Sequence, residues 1–380
     1  LGRALGAHVL DRAAAEGREA RAEDHAGIQQ VGIGDHAGGV AYGAHIGGFI
    51  AGLILALLPF FALAADPKPI RVLVWDEQQP QQSQGYGDKF LGETLAGELA
   101  KNQDLVVKTA RLADADQGLS DAALDQADVL VFWCHRKVKE QDDARVEAIV
   151  KRVQAGKLGF IALHSAHWAK PFVRLMQERS KDDALKQLTA EERAAAKWIF
   201  VNDAPYYKGV KAGAPMTPNV KRDGTTYTLT LPQCVFPSYR NDGAPGHVTT
   251  VKPAHPIAAG LPAKWDIPQT EMYGEPFGVP EPLETVFVSW FQGGEVFRSG
   301  LTYKRGAGNV FYFRPGHETY PTYHDANVQR VILNGVKWAY NPAARIADPN
   351  EAPNVPVEHA LEPIVERGPR LHHDGEEGFR

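Results

Sequence analysis

The sequence contains very little cysteine. Only Cys134 and Cys234 occur among 380 residues, so a disulfide framework is excluded and a single bridge cannot be deduced. Cys134 directly precedes His135, an order compatible with a cysteine nucleophile activated by histidine. However, Cys134 ends an apolar run, where a free cysteine often serves as a small core residue. We therefore favour a structural interpretation of this thiol.

The sequence also lacks an excess of one charge and lacks nucleotide-binding motifs. The net charge is −5 with both signs interspersed, so no nucleic-acid surface is predicted. No phosphate-binding loop or dinucleotide fingerprint is present, and no nucleotide cofactor is expected. No Gly-x-Ser-x-Gly motif surrounds Ser165, which favours a helix-capping role for this serine over a nucleophilic one.

The first 65 residues differ in composition from the rest of the chain. Residues 47–65 (GGFIAGLILALLPFFALAA) carry no charge and end in small residues, the pattern of a secretory signal peptide. The run is also nearly long enough to span a bilayer, which takes about 20 residues. We expect a cleaved signal and a periplasmic or secreted protein, with a membrane anchor through residues 47–65 as the alternative.

Part of this region has a second resemblance. Residues 39–49 resemble the last membrane helix of rhomboid proteases, which carries their catalytic histidine, but no partner helices accompany it. The chain begins with Leu and has no Met before Met176. We therefore expect an over-extended gene start or a fragment here, and we assign no function to His45.

From residue 70 onward, apolar runs alternate with helical patterns. The predicted strands cover residues 70–75, 105–109, 129–133, 158–163, 225–231, 286–291 and 309–313. The predicted helices cover residues 89–101, 142–155, 189–197 and 326–340. This alternation predicts βαβ units, and hence an α/β fold with a parallel sheet and helices on both faces.

The same pattern predicts the domain boundaries. We expect one domain over residues 66–342, preceded by an N-terminal extension over residues 1–65. Residues 180–250 are polar and interrupt the rhythm, so they are predicted to be an insertion packed over one end of the sheet. Residues 343–380 are rich in proline and charge, which is typical of a flexible tail.

Histidines follow three of the predicted strands. His135 follows the third strand, His164 and His167 follow the fourth, and His317 follows the last. Ligands of open α/β sheets bind beyond the carboxyl ends of the strands, so we expect these side chains to meet in one pocket. They could hold Zn²⁺ or another divalent transition metal, with His135, His164 and His317 as candidate ligands. Alternatively, histidine and glutamate could act as general acid and base without a metal.

Three motifs resemble the ThuA-like family, which is named for a trehalose-utilisation protein. They are VLVFWCH (129–135) with ALHSAH (162–167), EMYGE (271–275), and SWFQGGEVFRSG (289–300) continuing to FRPGHETYPTY (313–323). The resemblance covers about residues 70–342. It implies the flavodoxin-like sheet of class I glutamine amidotransferases. Cys134 stands where the family often has Gly, and a second histidine is missing after His135, which indicates a subfamily with its own substrate.

The resemblance also has implications for the chemistry. It places His164 where amidotransferases carry their cysteine nucleophile, with His317 and Glu318 near their late His and carboxylate. Without a thiol at that place, hydrolysis of glutamine is not expected.

The function implied by the resemblance is the processing of trehalose or a related disaccharide, including 3-keto forms, by proton abstraction, hydrolysis or isomerisation. The small-molecule partner is then a sugar, while the oligomeric state is not predicted. The expected catalytic residues are His164, His167, Glu275, His317 and Glu318. The expected substrate-binding residues are Trp168, Glu271, Tyr273, Arg314 and Tyr320. The alternative is a non-catalytic, secreted sugar-binding or scaffold protein.

Overall fold

The structure is a computed structural model that describes residues 68–204 and 216–341. The predicted signal peptide, the rhomboid-like segment and the C-terminal tail lie outside these residues. Within the described ranges, every helix is too short or too polar to cross a bilayer.

The described residues form strands and helices that we number in chain order. The strands are β1 Ile70–Asp76, β2 Leu105–Arg111, β3 Val129–Trp133, β4 Gly159–Leu163, β5 Lys197–Val201, β6 Asn219–Asp223, β7 Thr226–Thr230, β8 Ser238–Arg240, β9 Gly246–Thr250, β10 Lys264–Ile267, β11 Met272–Gly274, β12 Glu284–Trp290, β13 Val296–Arg305 and β14 Gly308–Phe313. The helices are α1 Ser83–Tyr86, α2 Leu91–Leu99, α3 Asp121–Asp125, α4 Asp143–Gln154, α5 Lys170–Lys186, α6 Ala190–Ala195 and α7 Ala326–Ala339.

Nine of these strands form one mixed sheet in the order β10-β9-β12-β13-β14-β4-β3-β1-β2. The strands from β14 to β2 pair in parallel, which confirms the predicted α/β fold. The other half is antiparallel. The antiparallel pairing of β12 with β13 and of β13 with β14 follows from the short turns between them, since a tight turn can join only antiparallel strands. Gly294 and Gly306 have positive φ in these turns, at 89° and 57°.

Helices cover both faces of the parallel half, as predicted. Successive side chains of a strand point to opposite faces, and β1 shows the consequence. Leu73 and Trp75 belong to the core that includes Val146 of α4 and Phe172 of α5. Val72 and Val74 belong to the other core, which includes buried side chains of α2 and α7.

Two of the covering helices, α4 and α7, begin at aspartate caps. The Asp142 side chain accepts a hydrogen bond from the backbone N–H of Arg145 at the start of α4. The Asp325 side chain accepts from Asn327 and Val328 at the start of α7. A capping carboxylate satisfies N–H groups that have no partner within the helix, which fixes where each helix begins.

The predicted insertion contains a separate small sheet. Its strands are β5, β7 and β6, and side chains such as Tyr227 and Leu229 form their own core with the end of α5. The predicted helix over 189–197 ends earlier, because residues 197–201 (KWIFV) alternate in exposure and pair with β7. β9, at the end of the predicted insertion, pairs with β12 in the large sheet.

The contact between α7 and β4 gives a testable prediction about stability. A Cβ on Gly159 would lie 2.5 Å from the backbone oxygen of Ala339, so Gly159→Ala must displace the end of α7. Overpacking of this kind costs about 1–3 kcal/mol, which urea denaturation will measure as a lower free energy of unfolding.

Gly97→Ala in α2 is the matched control for this substitution. A Cβ there meets no atom within 4 Å, so the change should stabilise the helix by about 0.5–1 kcal/mol. Equal effects of the two substitutions would contradict the tight packing of α7 against β4.

Candidate active site

The three histidines predicted to meet follow three neighbouring strands. β14 pairs with β4, and β4 pairs with β3, in parallel and without a gap in the sheet. His164 comes directly after β4, His135 comes two residues after β3, and His317 comes four residues after β14. The parallel direction therefore delivers all three side chains to one end of the sheet.

His164 occupies a sharp turn between β4 and the following helical turn His164–Trp168. Its φ is 51°, in the left-handed region that a residue with a Cβ rarely adopts. Backbone strain of this kind persists only where the surrounding structure enforces it. Here the loop after β14 packs closely against the turn, since a Cβ added to Gly316 would lie 2.6 Å from Cβ of His164.

The imidazole rings form a compact triangle. The ring centroids of His135 and His164 are 6.4 Å apart, those of His135 and His317 are 6.2 Å apart, and those of His164 and His317 are 5.9 Å apart. Their side chains are 13%, 0% and 4% exposed for His135, His164 and His317. The rings are therefore shielded from bulk solvent, and their charges act over short distances.

His164 is paired with a glutamate. Its Nδ1 donates a hydrogen bond to the backbone oxygen of Arg314 at 3.0 Å, which leaves Nε2 to contact other side chains. Nε2 lies 3.1 Å from Oε2 of Glu271 and 3.2 Å from the hydroxyl of Tyr273. That hydroxyl is also 3.1 Å from Oγ of Ser165. The four groups form a continuous hydrogen-bonded path along one wall.

Glu271 keeps its charge despite its burial. Burial alone would raise the pKa of this carboxyl group. The hydrogen bond and charge of His164, with the charges of His317 and His135, outweigh burial and hold the pKa below its ordinary value. The first wall of the site therefore presents a carboxylate at neutral pH.

A second carboxylate–imidazole pair joins His135 and Glu318. Nδ1 of His135 donates to Oε2 of Glu318 at 2.9 Å. Burial would lower the pKa of His135, but the charge and hydrogen bond of Glu318 outweigh it and raise the pKa. Burial would likewise raise the pKa of Glu318, but the charge and hydrogen bond of His135 hold it well below its ordinary value. This pair therefore favours a cationic imidazole beside a carboxylate.

The pKa of His317 is shifted in the opposite direction from that of His135. Its Nδ1 accepts a hydrogen bond from the backbone N–H of Thr319 at 3.1 Å and lies 2.8 Å from the Thr319 hydroxyl. Burial lowers the pKa of His317 to about 4, although the charges of Glu271 and Glu318 oppose the shift. The ring is thus neutral at neutral pH, next to a second imidazole that favours its charged form.

A cavity of about 240 Å³ adjoins these side chains. The lining residues are His135, Arg136, Ser165, His167, Trp168, Tyr239, Asn241, Glu271, Tyr273, His317 and Glu318.

The family model described as ThuA, trehalose utilisation, matches residues 71–339, which is more than half of the chain. This chain belongs to the ThuA family. Membership supports a carbohydrate-related role. No curated protein sequence matches the chain.

Solved structures also resemble this ThuA chain, at low sequence identity. A protein described as ThuA-like from Parabacteroides merdae is 16% identical, covering 80% of this chain and 98% of its own, with a TM-score of 0.44. One from Bacteroides uniformis is 13% identical, covering 73% and 96%, also with a TM-score of 0.44. A cytoplasmic protein from Salmonella typhimurium is 12% identical, covering 72% and 99%, with a TM-score of 0.39.

Four residues that the sequence placed in the site of this ThuA domain do not line the cavity, and they are His164, Glu275, Arg314 and Tyr320. His164 lies behind the lining and contacts Glu271 and Tyr273, which do line it. Arg314 is fully buried, and its Nη1 donates to the backbone oxygen of Glu271 at 2.5 Å, so it holds the segment that carries Glu271. Glu275 pairs with Arg298 at 2.9 Å. Tyr320 packs its ring 4.8 Å from that of His317. The cavity brings together the remaining predicted site residues.

Sequence reasoning did not find the outer wall of the cavity. Tyr239 and Asn241 come from the short strand β8 and the turn after it, in the segment that looked like a polar insertion. Asn241 Oδ1 accepts a hydrogen bond from the Tyr320 hydroxyl at 2.5 Å, which ties this wall to the loop after β14. A three-residue strand gives no periodic signal. The only signal in the sequence that could have indicated Tyr239 and Asn241 is their residue types, because an aromatic ring and an amide suit a sugar-binding surface.

Glu77 was also missed, although it holds the turn that carries His135. Its carboxylate accepts hydrogen bonds from the Cys134 thiol and from the backbone N–H groups of Arg136 and Lys137, each at 2.9 Å. Burial raises the pKa of the Cys134 thiol well above its ordinary value, and the charge of Glu77 adds to this shift. Cys134 is therefore a structural, protonated thiol in the described structure.

One of the three candidate metal ligands, His317, is not arranged as a ligand through Nε2. A histidine that binds a metal through Nε2 needs a lone pair there, with its proton on Nδ1. In His317 the Thr319 N–H points at Nδ1, so the neutral ring carries its proton on Nε2. Within residues 68–204 and 216–341, no three His, Cys, Asp or Glu side chains are grouped so that they could hold a metal ion.

The first prediction from the site concerns Glu77. Glu77→Ala removes the acceptor for one thiol and two backbone N–H groups in a buried turn. Each unsatisfied group costs about 1–3 kcal/mol, so the free energy of unfolding should fall by at least that amount in urea denaturation. Glu140→Ala, at an exposed position, should stay within about 0.5 kcal/mol of wild type. A Glu77→Ala protein as stable as the control would show that the hydrogen bonds of Glu77 do not contribute to the stability of the fold.

The second prediction concerns the pH dependence of stability. Between pH 6.5 and 4, the unfolded chain protonates His317 while the folded chain does not, so acidification favours unfolding. From pH 7 to 4.5 this single group should remove about 2 kcal/mol of stability. His317→Gln should lose correspondingly less over the same range, as measured by chemical denaturation at each pH.

His324→Gln, at an exposed position before α7, is the control and should keep the wild-type pH dependence. If His317→Gln lost as much stability on acidification as wild type, the neutral, buried state of His317 would be refuted.

Proposed function

We propose that this ThuA-family chain is an enzyme that performs acid–base chemistry on a sugar, with trehalose or a related disaccharide as the substrate class. The family description supports the carbohydrate substrate. The cavity supports the chemistry, because its lining combines carboxylates, imidazoles and the aromatic rings of Trp168, Tyr239 and Tyr273.

The observation that carries the proposal is the presence of two carboxylate–imidazole pairs whose carboxylates both line one small cavity. Glu271 pairs with His164 at 3.1 Å, and Glu318 pairs with His135 at 2.9 Å. Groups whose surroundings separate their pKa values can act as acid and base at one pH. Here the raised pKa of His135 provides an acid, while the lowered pKa of Glu271 provides a base.

The arrangement does not support hydrolysis of glutamine. That reaction needs a thiolate at the turn after β4, where this chain has His164. Cys134 and Cys234 are both fully buried, and burial raises the pKa of each thiol well above its ordinary value. A buried, protonated thiol is a poor nucleophile.

The size of the cavity limits what it can enclose. Pockets that bind drug-sized ligands measure about 300–1,000 Å³, and this cavity measures about 240 Å³. We infer that it encloses one sugar ring, with a second ring extending past the exposed lining residues Arg136 and Asn241.

The test is turnover of a panel of disaccharides, including trehalose and keto forms of each sugar. His164→Ala and Glu271→Gln should each lower the rate by about 10²–10⁴, because each removes one partner of an acid–base pair. The control is His247→Ala, since His247 pairs with Asp266 on β10 and lies outside the cavity lining. It should keep the wild-type rate.

Two results would contradict the proposal. Binding of a panel sugar without turnover by the wild type would favour the non-catalytic sugar-binding protein. Equal loss of rate in His247→Ala and His164→Ala would show that the cavity is not the catalytic site.

A further inference from the structure

We propose that the sugar bound by this site carries an anionic group, a carboxylate or a phosphate, which Arg136 and Asn241 hold at the opening of the cavity. This inference rests on the proposed function and adds the charge of the substrate to it.

Arg136 is a cation without an anionic partner in the part of the chain that the structure describes. It lines the cavity and is exposed to solvent. Its backbone N–H is bonded to Glu77, but within residues 68–204 and 216–341 its guanidinium forms no hydrogen bond or ion pair. A guanidinium can donate two parallel hydrogen bonds to a carboxylate or a phosphate. Arg136 can therefore bind an anion without breaking an existing contact.

The backbone that carries Arg136 is held in place before a ligand arrives. Glu77 is 2% exposed, and its carboxylate accepts hydrogen bonds from the backbone N–H groups of Arg136 and Lys137, each at 2.9 Å. Binding an anion then requires ordering of the Arg136 side chain alone. A preorganised backbone lowers the entropy cost of binding.

Asn241 offers a second donor from a distant segment of the chain. Its Oδ1 accepts a hydrogen bond from the Tyr320 hydroxyl at 2.5 Å, which leaves the Nδ2 amide to donate to a ligand. Asn241 is exposed and lines the same cavity as Arg136. An anion at the opening can therefore receive hydrogen bonds from both residues.

The carboxylates of the cavity place the anionic group at the opening. Glu271 and Glu318 are buried, at 5% and 4% exposed. Each already has an imidazole partner, since Glu271 lies 3.1 Å from His164 and Glu318 lies 2.9 Å from His135. An anion in the interior would meet these two carboxylates, whereas at the opening it meets the unpaired charge of Arg136.

The test is isothermal titration of the full chain with glucose, glucuronate and glucose 6-phosphate, since the cavity has room for one ring. At least one anionic sugar should bind about 10- to 100-fold more tightly than glucose, the effect of charge-assisted hydrogen bonds. The anionic sugar that binds more tightly identifies the group as a carboxylate or a phosphate.

Substitutions at the opening assign this preference to its residues. Arg136→Gln should abolish the difference between the anionic sugar and glucose, and Arg136→Lys, which keeps the charge but loses the planar fork, should retain part of it. Asn241→Asp, of nearly the same shape, places a carboxylate at the opening and should weaken binding of the anionic sugar selectively.

Lys139→Gln is the matched control. It removes the same charge three residues along the chain, at an exposed position outside the cavity lining, and should keep the preference. Equal losses in Lys139→Gln and Arg136→Gln would overturn the inference, because the preference would then arise from the overall charge of the protein.

Three other results would also overturn the inference. They are equal binding of the three sugars by wild type, a preference that survives Arg136→Gln, and binding of inorganic phosphate as tight as that of glucose 6-phosphate. The last result would show an anion site that does not recognise a sugar.

The inference and the proposed function can fail separately. A preference for the anionic sugar, without turnover of any sugar, would support the inference and overturn the proposed acid–base catalysis. Turnover of neutral disaccharides, without any preference for anionic sugars, would overturn the inference and leave the catalysis standing.

Discussion

The approach of the loop after β14 to the turn at His164 is the contact on which the candidate site depends. Gly316 lies where a Cβ would be 2.6 Å from both Cβ of His164 and the Tyr323 hydroxyl oxygen, so the Gly316 backbone packs directly against the His164 side chain. This closeness places His317 next to His164 and keeps both rings away from bulk solvent. The separated protonation preferences in the cavity follow, because short distances and burial strengthen every charge interaction.

Much of the fold and part of the site could be predicted from the sequence. The parallel half of the sheet follows from continuous apolar runs separated by helical patterns, and the positions of His135, His164 and His317 after such runs indicated one shared edge. The family-specific motifs indicated the same region. These signals are local in sequence and depend only on strand direction. The prediction therefore holds although the whole sheet is mixed, because β3, β4 and β14 are parallel to one another.

The rest depends on contacts between distant segments. Glu275 looked catalytic beside Glu271, but its carboxylate pairs with Arg298, whose position is fixed by the β12–β13 hairpin. Arg314 looked exposed to substrate, but it is buried against the backbone of Glu271. The proton position on His317 depends on the direction of a single N–H group in the loop. None of these follows from residue type or spacing.

The site is built from two structural regions of the chain. The side chains proposed to react come from ends of the large sheet and from the segment that Thr270 and Arg314 tie to the loop after β14. Tyr239 and Asn241, at the opening, come instead from a short strand at the end of the inserted region. Under the proposed function, mutations in that region should alter which molecules enter without disturbing the side chains proposed to react. Such a division would let a lineage acquire new substrates while retaining one chemistry.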